Sequence, residues 1–535
     1  MTTIPLQLGI TPVRRKPFNG RSLDEVITEL SEEVRELYTA DQVPWVIGYS
    51  GGKDSTAVLQ LVWNAIAELP AEQRTKPVHV ISTDTLVENP VVAAWVTTSL
   101  DTMAKAAAEQ NLPVEPHRLT PEIKDTFWVN LIGRGYPAPR PKFRWCTERL
   151  KIKPSNAFIR NVVASHGEAI MVLGIRKTES QARARAMEKH EKRRVRDRLS
   201  PNANLPNSLV YSPVEDWTND DVWEYLMQKP NPWGYNNQDL LTMYQGASAD
   251  GECPLVVDST TPSCGSSRFG CWTCTLVEQD KSMTAMIQND EEKEWMTPLL
   301  TLRDKLDAPF GYFEEGEEGL PPGRKLPYPR PDQPARDFRR MNGRVMTYKR
   351  RTDGAEVAIH GPYLQKYRED WLAELLEAQT WIRANGPDHI KNIELITLDE
   401  LHEIRRIWVF DKHEVEDSLP RIYKKATGED FPGGPLDEQL VMGADEMKIL
   451  RELCDGDDLH YNMVRELLSV ERKYRTMSRR AGLFQALESA VQKGFYEDST
   501  DALDFAQRKN DKNKWGSDSP TPLTLDEETD IDAPA

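Results

Sequence analysis

An apolar run, Val43-Pro-Trp-Val-Ile-Gly48, leads straight into Tyr49-Ser-Gly-Gly-Lys-Asp-Ser-Thr56. That order predicts a strand, a glycine turn and the opening of a helix that continues over Ala57 to Ala67. Gly51 and Gly52 lack Cβ atoms, so the backbone there turns tightly and approaches an anion closely. Amides at a helix N-terminus, with the helix dipole behind them, favour a phosphate. Lys53 adds a point charge, and Ser50, Ser55 and Thr56 add hydroxyls. Asp54 is repelled by phosphates unless a cation lies between, a place Mg2+ would fill. The spacing is neither that of a Walker A loop nor that of a dinucleotide fingerprint. The plain alternative is a glycine turn with no ligand.

Further strands are expected at Val78–Ile81, Val114–His117 and Ala169–Gly174, alternating with helices such as Val91–Gln110. This alternation predicts an α/β fold, a parallel sheet flanked by helices on both faces. Ligands of such sheets bind beyond the carboxyl ends of the strands. The loop at Ser50–Thr56, the Thr83-Asp84 corner and Gly174-Ile-Arg176 are therefore expected to converge. A chain of 535 residues has room for two or three domains. Composition divides it into an N-terminal helical segment (1–40), an α/β domain (41–300), a Pro/Gly-rich linker (301–350) and a mainly helical C-terminal region (351–509). An acidic tail (510–535) with little to bury is expected to be disordered.

The net charge of −17 argues against a protein that coats nucleic acid uniformly, and leaves room for a local basic groove. No apolar run has the length of a membrane span, and Met1–Lys16 lacks the apolar stretch of a secretory signal, so a cytoplasmic protein with no membrane partner is expected.

The six cysteines are too few for a disulfide scaffold, and their clustering points to metal in a reducing compartment. Cys271-Trp-Thr-Cys274 is preceded by Cys253 and Cys264, with Cys146 far upstream in Arg144-Trp-Cys-Thr-Glu-Arg-Leu-Lys151. All-thiolate ligation suits zinc or an iron–sulfur cluster. With no second Cys-x-x-Cys to make a zinc ribbon, the favoured reading is a cluster held by Cys146, Cys264, Cys271 and Cys274. Cys253 is then an alternate ligand or a sulfur-carrying thiol. Buried reduced cysteines without metal are the plain alternative, and the favoured one for the isolated Cys454.

The Ser-Gly-Gly-Lys-Asp-Ser loop resembles that of the PP-loop ATP pyrophosphatases, whose fold is of the adenine nucleotide alpha hydrolase type. Further stretches resemble the adenylyl-sulfate and phosphoadenylyl-sulfate (PAPS) reductases within that superfamily. These are Thr83-Asp-Thr85, the cysteine-bearing Arg144–Pro154 stretch, Gly174-Ile-Arg-Lys-Thr-Glu-Ser-Gln-Ala-Arg183 and Ser212-Pro-Val-Glu-Asp-Trp-Thr-Asn-Asp-Asp-Val-Trp-Glu-Tyr-Leu226. The reductases' C-terminal Glu-Cys-Gly-Leu-His is missing; Cys454 sits instead in Leu-Cys-Asp-Gly-Asp. Gly251-Glu-Cys-Pro-Leu to Thr275 and the long extension are similar to the sulfurtransferases of DNA phosphorothioation (Dnd) systems. The resemblance implies an ATP-dependent enzyme that adenylates a DNA phosphodiester and replaces a non-bridging oxygen with sulfur. It implies ATP, Mg2+ and a 4Fe–4S cluster as cofactors. The implied partners are DNA, a cysteine desulfurase as sulfur donor and the other Dnd proteins of the modification complex. Lys53, Asp54 and Cys253 would be catalytic. Ser50, Gly51, Gly52, Lys53, Asp54, Ser55, Thr56, Thr83, Asp84, Gly174, Arg176 and Arg183 would hold the nucleotide. The alternatives are a sulfonucleotide reductase, a tRNA thiolase, or a non-catalytic iron–sulfur scaffold that binds DNA.

Arg176 to Arg198 is densely basic and suits DNA phosphates, or else a solvated helix laced with salt bridges to Glu179, Glu188 and Glu191. A second basic patch, Arg324 to Arg351, interleaves Tyr328, Phe338 and Tyr348. Arg465 to Arg480 is a candidate partner-binding helix. Trp371, Trp381 and Trp408 sit at helical spacing and are expected in a core. His166, His190, His360 and His460 show no ligand spacing.

Overall fold

The computed structural model describes residues 17–515 except 141–142, 195, 197, 203–204, 248–269, 278, 308–334, 350–353, 355, 435, 437–441 and 476. The chain forms two compact units. One comprises Met1–Pro121, Thr147–Trp272 and Asp280–Glu294; the other comprises Glu122–Cys146, Thr273–Gln279 and Trp295–Ala535.

In the first unit, Ser22 and Glu25 form a reciprocal capping box that starts α1 (Leu23–Thr39). The apolar run becomes β1 (Trp45–Gly48), and the turn after it opens α2 (Lys53–Ala67). Then come β2 (Val78–Thr83), α3 (Pro90–Glu109), β3 (Val114–Leu119), α4 (Lys153–His166) and β4 (Ala169–Val172). The remaining elements are α5 (Gln181–Glu191), β5 (Ser200–Pro201), β6 (Ser208–Tyr211), α6 (Asn219–Gln228), α7 (Asn237–Gly246) and α8 (Lys281–Asn289). Helix α2 starts four residues earlier than its apolar pattern alone suggests, so Lys53 to Thr56 form its first turn.

The strands lie in the order β3-β2-β1-β4-β6-β5, parallel throughout except where β5 runs against β6. Alternation along β1 sends Trp45 and Ile47 into the larger core with α1, α2, α3 and α6, while Val46 joins Ile159 and Val162 of α4 on the other face. Both faces are thus covered, as a parallel sheet requires. The strand order reverses between β1 and β4, and ligands of open sheets bind in the crevice at such a switch point.

The second unit holds α9 (Thr297–Asp307), a hairpin of β7 (Thr347–Lys349) and β8 (Glu356–Ala358), α10 (Gln365–Asn385), α11 (Leu398–Arg406) and α12 (Ser418–Thr427). Four more helices follow: α13 (Ala444–Leu453), α14 (Asp458–Arg475), α15 (Leu483–Lys493) and α16 (Ser499–Trp515). Residues 122–146 belong here, unlike the consecutive 41–300, 301–350 and 351–509 blocks that composition suggests. Their buried hydrogen bonds explain why. Trp128 Nε1 donates to the Leu395 carbonyl (2.7 Å), Trp408 Nε1 donates to the Ile132 carbonyl (3.0 Å), and the Ala138 amide donates to Tyr363 Oη (3.2 Å). Helix α9 reaches into the expected linker, and α16 runs past residue 509 into the expected tail. Trp371 and Trp408 are buried, whereas Trp381 is 46% exposed and leaves the core expected for it. Its neighbour Ile382 takes the inward position on α10. Cys454 is buried among Val415, Met447 and Tyr461, as expected of a structural thiol.

Candidate active site

A cavity of about 980 Å³ opens at the carboxyl ends of the parallel strands in the first unit. It is lined by the loop after β1 (Tyr49 to Ser55), the end of β2 (Ser82, Thr83, Asp84), and Gly174, Ile175 and Arg176 after β4. This is the upper end of the volume range of small-molecule sites.

The loop is shaped by local physics. Gly51 has φ +73°, a conformation that side chains rarely adopt, and a Cβ on it would lie 2.5 Å from Val96. Gly52 is the N-cap of α2 and offers no side-chain hydrogen bond to the helix, and the Lys53 amide makes only a long contact with Tyr244 Oη (3.4 Å). Ser55 Oγ donates to the Gly52 carbonyl (3.0 Å) and receives the Ser50 amide (3.2 Å), which fixes the turn. Gly174 packs directly on the first turn of α2. A Cβ there would lie 2.7 Å from the Asp54 carbonyl oxygen and 3.1 Å from the Ser55 nitrogen.

Charges alternate around the cavity. Lys53 Nζ lies 3.0 Å from Asp54 Oδ2 and 5.5 Å from the centre of the Tyr244 ring. Arg176, only 4% exposed, places Nε 2.7 Å from Asp54 Oδ1. That contact is electrostatic, because the N–H is not aligned with the oxygen as a hydrogen bond. Arg176 also donates from Nη1 to Thr178 Oγ1 (3.2 Å), and Thr178 Oγ1 donates to the Trp217 carbonyl (2.8 Å). The Gly174–Arg183 and Ser212–Leu226 stretches are thereby joined. Asp84 accepts from the Leu86 amide (2.8 Å) and from Arg118 Nε (3.1 Å). Thr83 Oγ1 lies 3.0 Å from Ser155 Oγ. Arg183 lines the cavity and pairs with Glu179. Beneath the loop, burial pushes the Tyr49 phenol up to about 12, so it is a neutral hydrogen-bonding partner of Ser99 (2.9 Å).

Of the expected nucleotide residues, all but Thr56 line this cavity; Thr56 is 3% exposed, on the inward side of α2. A helix repeats every 3.6 residues, so neighbours in a first turn cannot all face one ligand. Residues not anticipated also line it, among them Glu88, Arg118, Lys151, Asp220 and Tyr244. Arg118 stands at the end of β3, where the strand-end rule would have found it. Tyr244 arrives from α7, and nothing in its local sequence marks it. One or two carboxylates plus phosphates suffice for Mg2+. Asp54 fits that need, with Asp84, Glu88 and Asp220 around the same cavity.

Cys271 closes onto the loop after β2. Its backbone bridges to Glu88, the Trp272 amide donates to the Val87 carbonyl (3.0 Å), and Cys271 Sγ lies 3.3 Å from Thr85 Oγ1. In the second unit, the Cys274 carbonyl accepts from Nε (3.1 Å) and Nη2 (3.0 Å) of the buried Arg303, and Cys146 is half-buried. Cys253 and Cys264 lie outside the described residues.

The basic stretch is partly internal. Lys177 pairs with Glu191 (2.6 Å) and Asp216 (2.9 Å), Arg194 with Glu215 (3.2 Å), and Arg196 with Glu168 (2.8 Å) and Asp41 (3.2 Å). Among the described residues, Arg185, Lys189, Lys192 and Arg193 are exposed and have no carboxylate partner. The patch before Arg351 is structural in part: Arg336 is buried and Arg339 pairs with Asp337 (2.7 Å), while Arg344, Tyr348 and Lys349 are exposed. In α14, Arg465 donates to the His413 carbonyl (3.1 Å) and Arg472 to the Phe410 carbonyl (3.3 Å), so these two arginines brace the fold, while Lys473 and Arg475, and Arg479 and Arg480 beyond the helix, are exposed.

Residues 44–276 match the family model of the phosphoadenosine phosphosulfate reductase domain. The uncharacterized protein MJ0066 of Methanocaldococcus jannaschii is 26% identical over 286 residues, which cover 53% of this chain and 47% of that protein. The chain thus spans about half the length of the curated relative it matches. Similar solved structures include Candida glabrata FMN adenylyltransferase in complex with FAD and inorganic pyrophosphate (11% identity, 44% of this chain, 66% of that chain, TM-score 0.24). Another is the U34-tRNA thiolase NcsA from Methanococcus maripaludis with its 4Fe–4S cluster (14% identity, 56% of this chain, 84% of that chain, TM-score 0.26). The first unit carries a mostly parallel sheet flanked by helices, and the stretch similar to the PAPS reductase domain falls largely within it. No helix among the described residues is long and apolar enough to cross a membrane.

Proposed function

We propose that the chain is an ATP-dependent sulfurtransferase of a DNA phosphorothioation system, similar to DndC. The observation that carries the nucleotide half of this reading is the meeting of Lys53, Asp54 and Arg176 at the opened N-terminus of α2. The amides of that turn and Lys53 would bind and stabilise the departing pyrophosphate, a preorganised electrostatic role. Mg2+ held by Asp54 would polarise the α-phosphate. A non-bridging oxygen of the DNA phosphodiester would attack the α-phosphorus and expel pyrophosphate. A persulfide sulfur drawn from a cysteine desulfurase and carried on Cys253 would then attack the DNA phosphorus and displace AMP, and a second thiol would cleave the resulting S–S bond, leaving the phosphorothioate on DNA and a disulfide. Arg185, Lys189, Lys192 and Arg193 follow the Gly174–Arg183 segment and supply cations for the DNA backbone.

The sulfur half rests on the cysteines. Cys146, Cys264, Cys271 and Cys274 would supply the four thiolates that a 4Fe–4S cluster needs, and Cys253 is the proposed sulfur carrier. Such a cluster would bind or order sulfur near the acceptor. A sulfonucleotide reductase is the second reading, favoured by the family model over residues 44–276. It needs a mobile nucleophilic cysteine near the C-terminus, and Cys454 is 9% exposed within a core.

The test is iodine-sensitive cleavage of host DNA, with pyrophosphate release from ATP measured on the same variants. Loss of both in Lys53→Ala, and loss of cleavage in Cys271→Ser, is expected. An Asp54→Ala strain with undiminished phosphorothioate would favour a non-catalytic scaffold, and sulfite release from adenylyl sulfate with a thiol would favour the reductase.

A further inference from the structure

We propose a divalent metal site of the zinc class at the edge of the sheet, built by His79 of β2 and by Glu115 and His117 of β3. Register puts the three side chains on one face. His79 pairs with Glu115 across the strands, and His117 lies two residues beyond Glu115. His79 Nδ1 is 3.1 Å from His117 Nε2 and 3.2 Å from Glu115 Oε2, and the third side of the triangle, His117 Nε2 to Glu115 Oε2, is 3.8 Å.

Two of those sides, 3.1 and 3.2 Å, come close to the edge of a metal polyhedron, and the third, 3.8 Å, is longer and ends on the exposed Glu115. Ligands about 2.0–2.1 Å from a tetrahedral zinc stand about 3.3–3.4 Å apart. One proton on His79 Nδ1 serves only one of its two close neighbours, whereas a cation accepts a lone pair from each of the three donors. The rings are also held in place. Phe158 of α4 packs edge-on against His79 at 5.5 Å and at a tilt against His117 at 4.7 Å between ring centres. Two imidazoles and a carboxylate suit a borderline cation, and three protein ligands leave a position for water.

The site is separate from the nucleotide cavity but shares its strands. Ile81, which pairs with His117, and Arg118, which follows it, both line that cavity. A metal would therefore staple the edge strand that carries Arg118 to Asp84. This role is independent of what the cavity binds.

The test is a zinc titration of the full-length protein against a chromophoric chelator, with thermal melts, on the wild type, Glu115→Ala and His117→Gln. Glu115 is largely exposed, so its variant keeps the fold, and circular dichroism of the metal-free proteins checks this. The cysteines add zinc capacity equally in all three proteins, so the difference between them reports this site. Each variant is expected to bind one zinc fewer and to lose the rise in melting temperature that zinc gives the wild type. Equal zinc content and an equal rise in all three proteins would overturn the proposal.

Discussion

The guanidinium of Arg176, buried in the first unit, lies 2.7 Å from the carboxylate of Asp54. Two positions 122 residues apart in sequence are thus joined across the switch point of the sheet. Arg176 holds Asp54, and Asp54 in turn orients Lys53. Removing one partner of a buried pair costs about 3–5 kcal/mol, and Asp54 is partly solvated, so its loss is expected to cost roughly half that or less. Asp54→Ala should lower pyrophosphate release from ATP by at least about 100-fold, with only a modest fall in denaturation midpoint. A midpoint loss without a rate loss would make the pair structural alone.

Gly174→Ala tests the close approach of β4 to the phosphate loop. The added methyl meets the Asp54 carbonyl at 2.7 Å, and both are backbone-anchored, so the first turn of α2 must move. Overpacking of this kind costs about 1–3 kcal/mol. The movement displaces the amides that face the cavity, so the expected signature is a raised KM for ATP with a lowered melting temperature.

Much of this site is legible in the chain. A glycine turn after an apolar run, followed by Lys53 and Asp54, already marks the loop that lines the cavity, and the strand-end rule brings Thr83, Asp84, Gly174 and Arg176 to it. What was not legible depends on distant packing. Thr56 turns inward because α2 is covered by the sheet on one side and by α1 and α6 on the other. Tyr244 reaches Lys53 across 191 residues, and no local pattern encodes that. Residues 122–146 read as part of the α/β domain until Trp128 and Trp408 find their carbonyl partners among the later helices. His79 and His117 carry a period-two signal only once the register of β2 against β3 is known.

The cations after Gly174 separate into two classes with different expected behaviour. Charge reversal at Arg185, Lys189 and Arg193 should weaken DNA binding and flatten its salt dependence by about 0.9 per lost phosphate contact. Reversal at Arg194 and Arg196 breaks pairs with Glu215, Glu168 and Asp41, so it should lower stability more than it changes the salt slope. Binding titrations over a salt series distinguish the two.

His413 is a buried base with no hydrogen bond to either ring nitrogen among the described residues. Burial first, then the nearby Arg465 and Arg472, pushes it from 6.5 down to about 4. A depressed base binds its proton in the unfolded chain before it does so in the folded one. Stability therefore falls as pH drops from 6.5 towards about 4, and no further below it. Chemical denaturation across that window should show a steeper loss in the wild type than in His413→Gln.

The contact between Thr85 and Cys271 sets up the last test. Thr85 Oγ1 lies 3.3 Å from Cys271 Sγ and 3.1 Å from Glu88 Oε1, and it has one proton for the two. Lys151 lies 3.2 Å from that same Glu88 oxygen and reduces its need for the proton. With Cys271 as a deprotonated cluster ligand, the sulfur has no proton of its own, so the Thr85 hydroxyl turns towards it. Hydrogen bonds to ligand sulfurs tune the potential of iron–sulfur clusters, and a lost donor makes the reduced form harder to reach. Thr85→Val keeps the volume and removes the donor. A cluster bound through Cys271, as proposed, should therefore titrate at a more negative potential in this variant, read by visible absorption during anaerobic reduction. An unchanged potential would mean that the hydroxyl stays with Glu88.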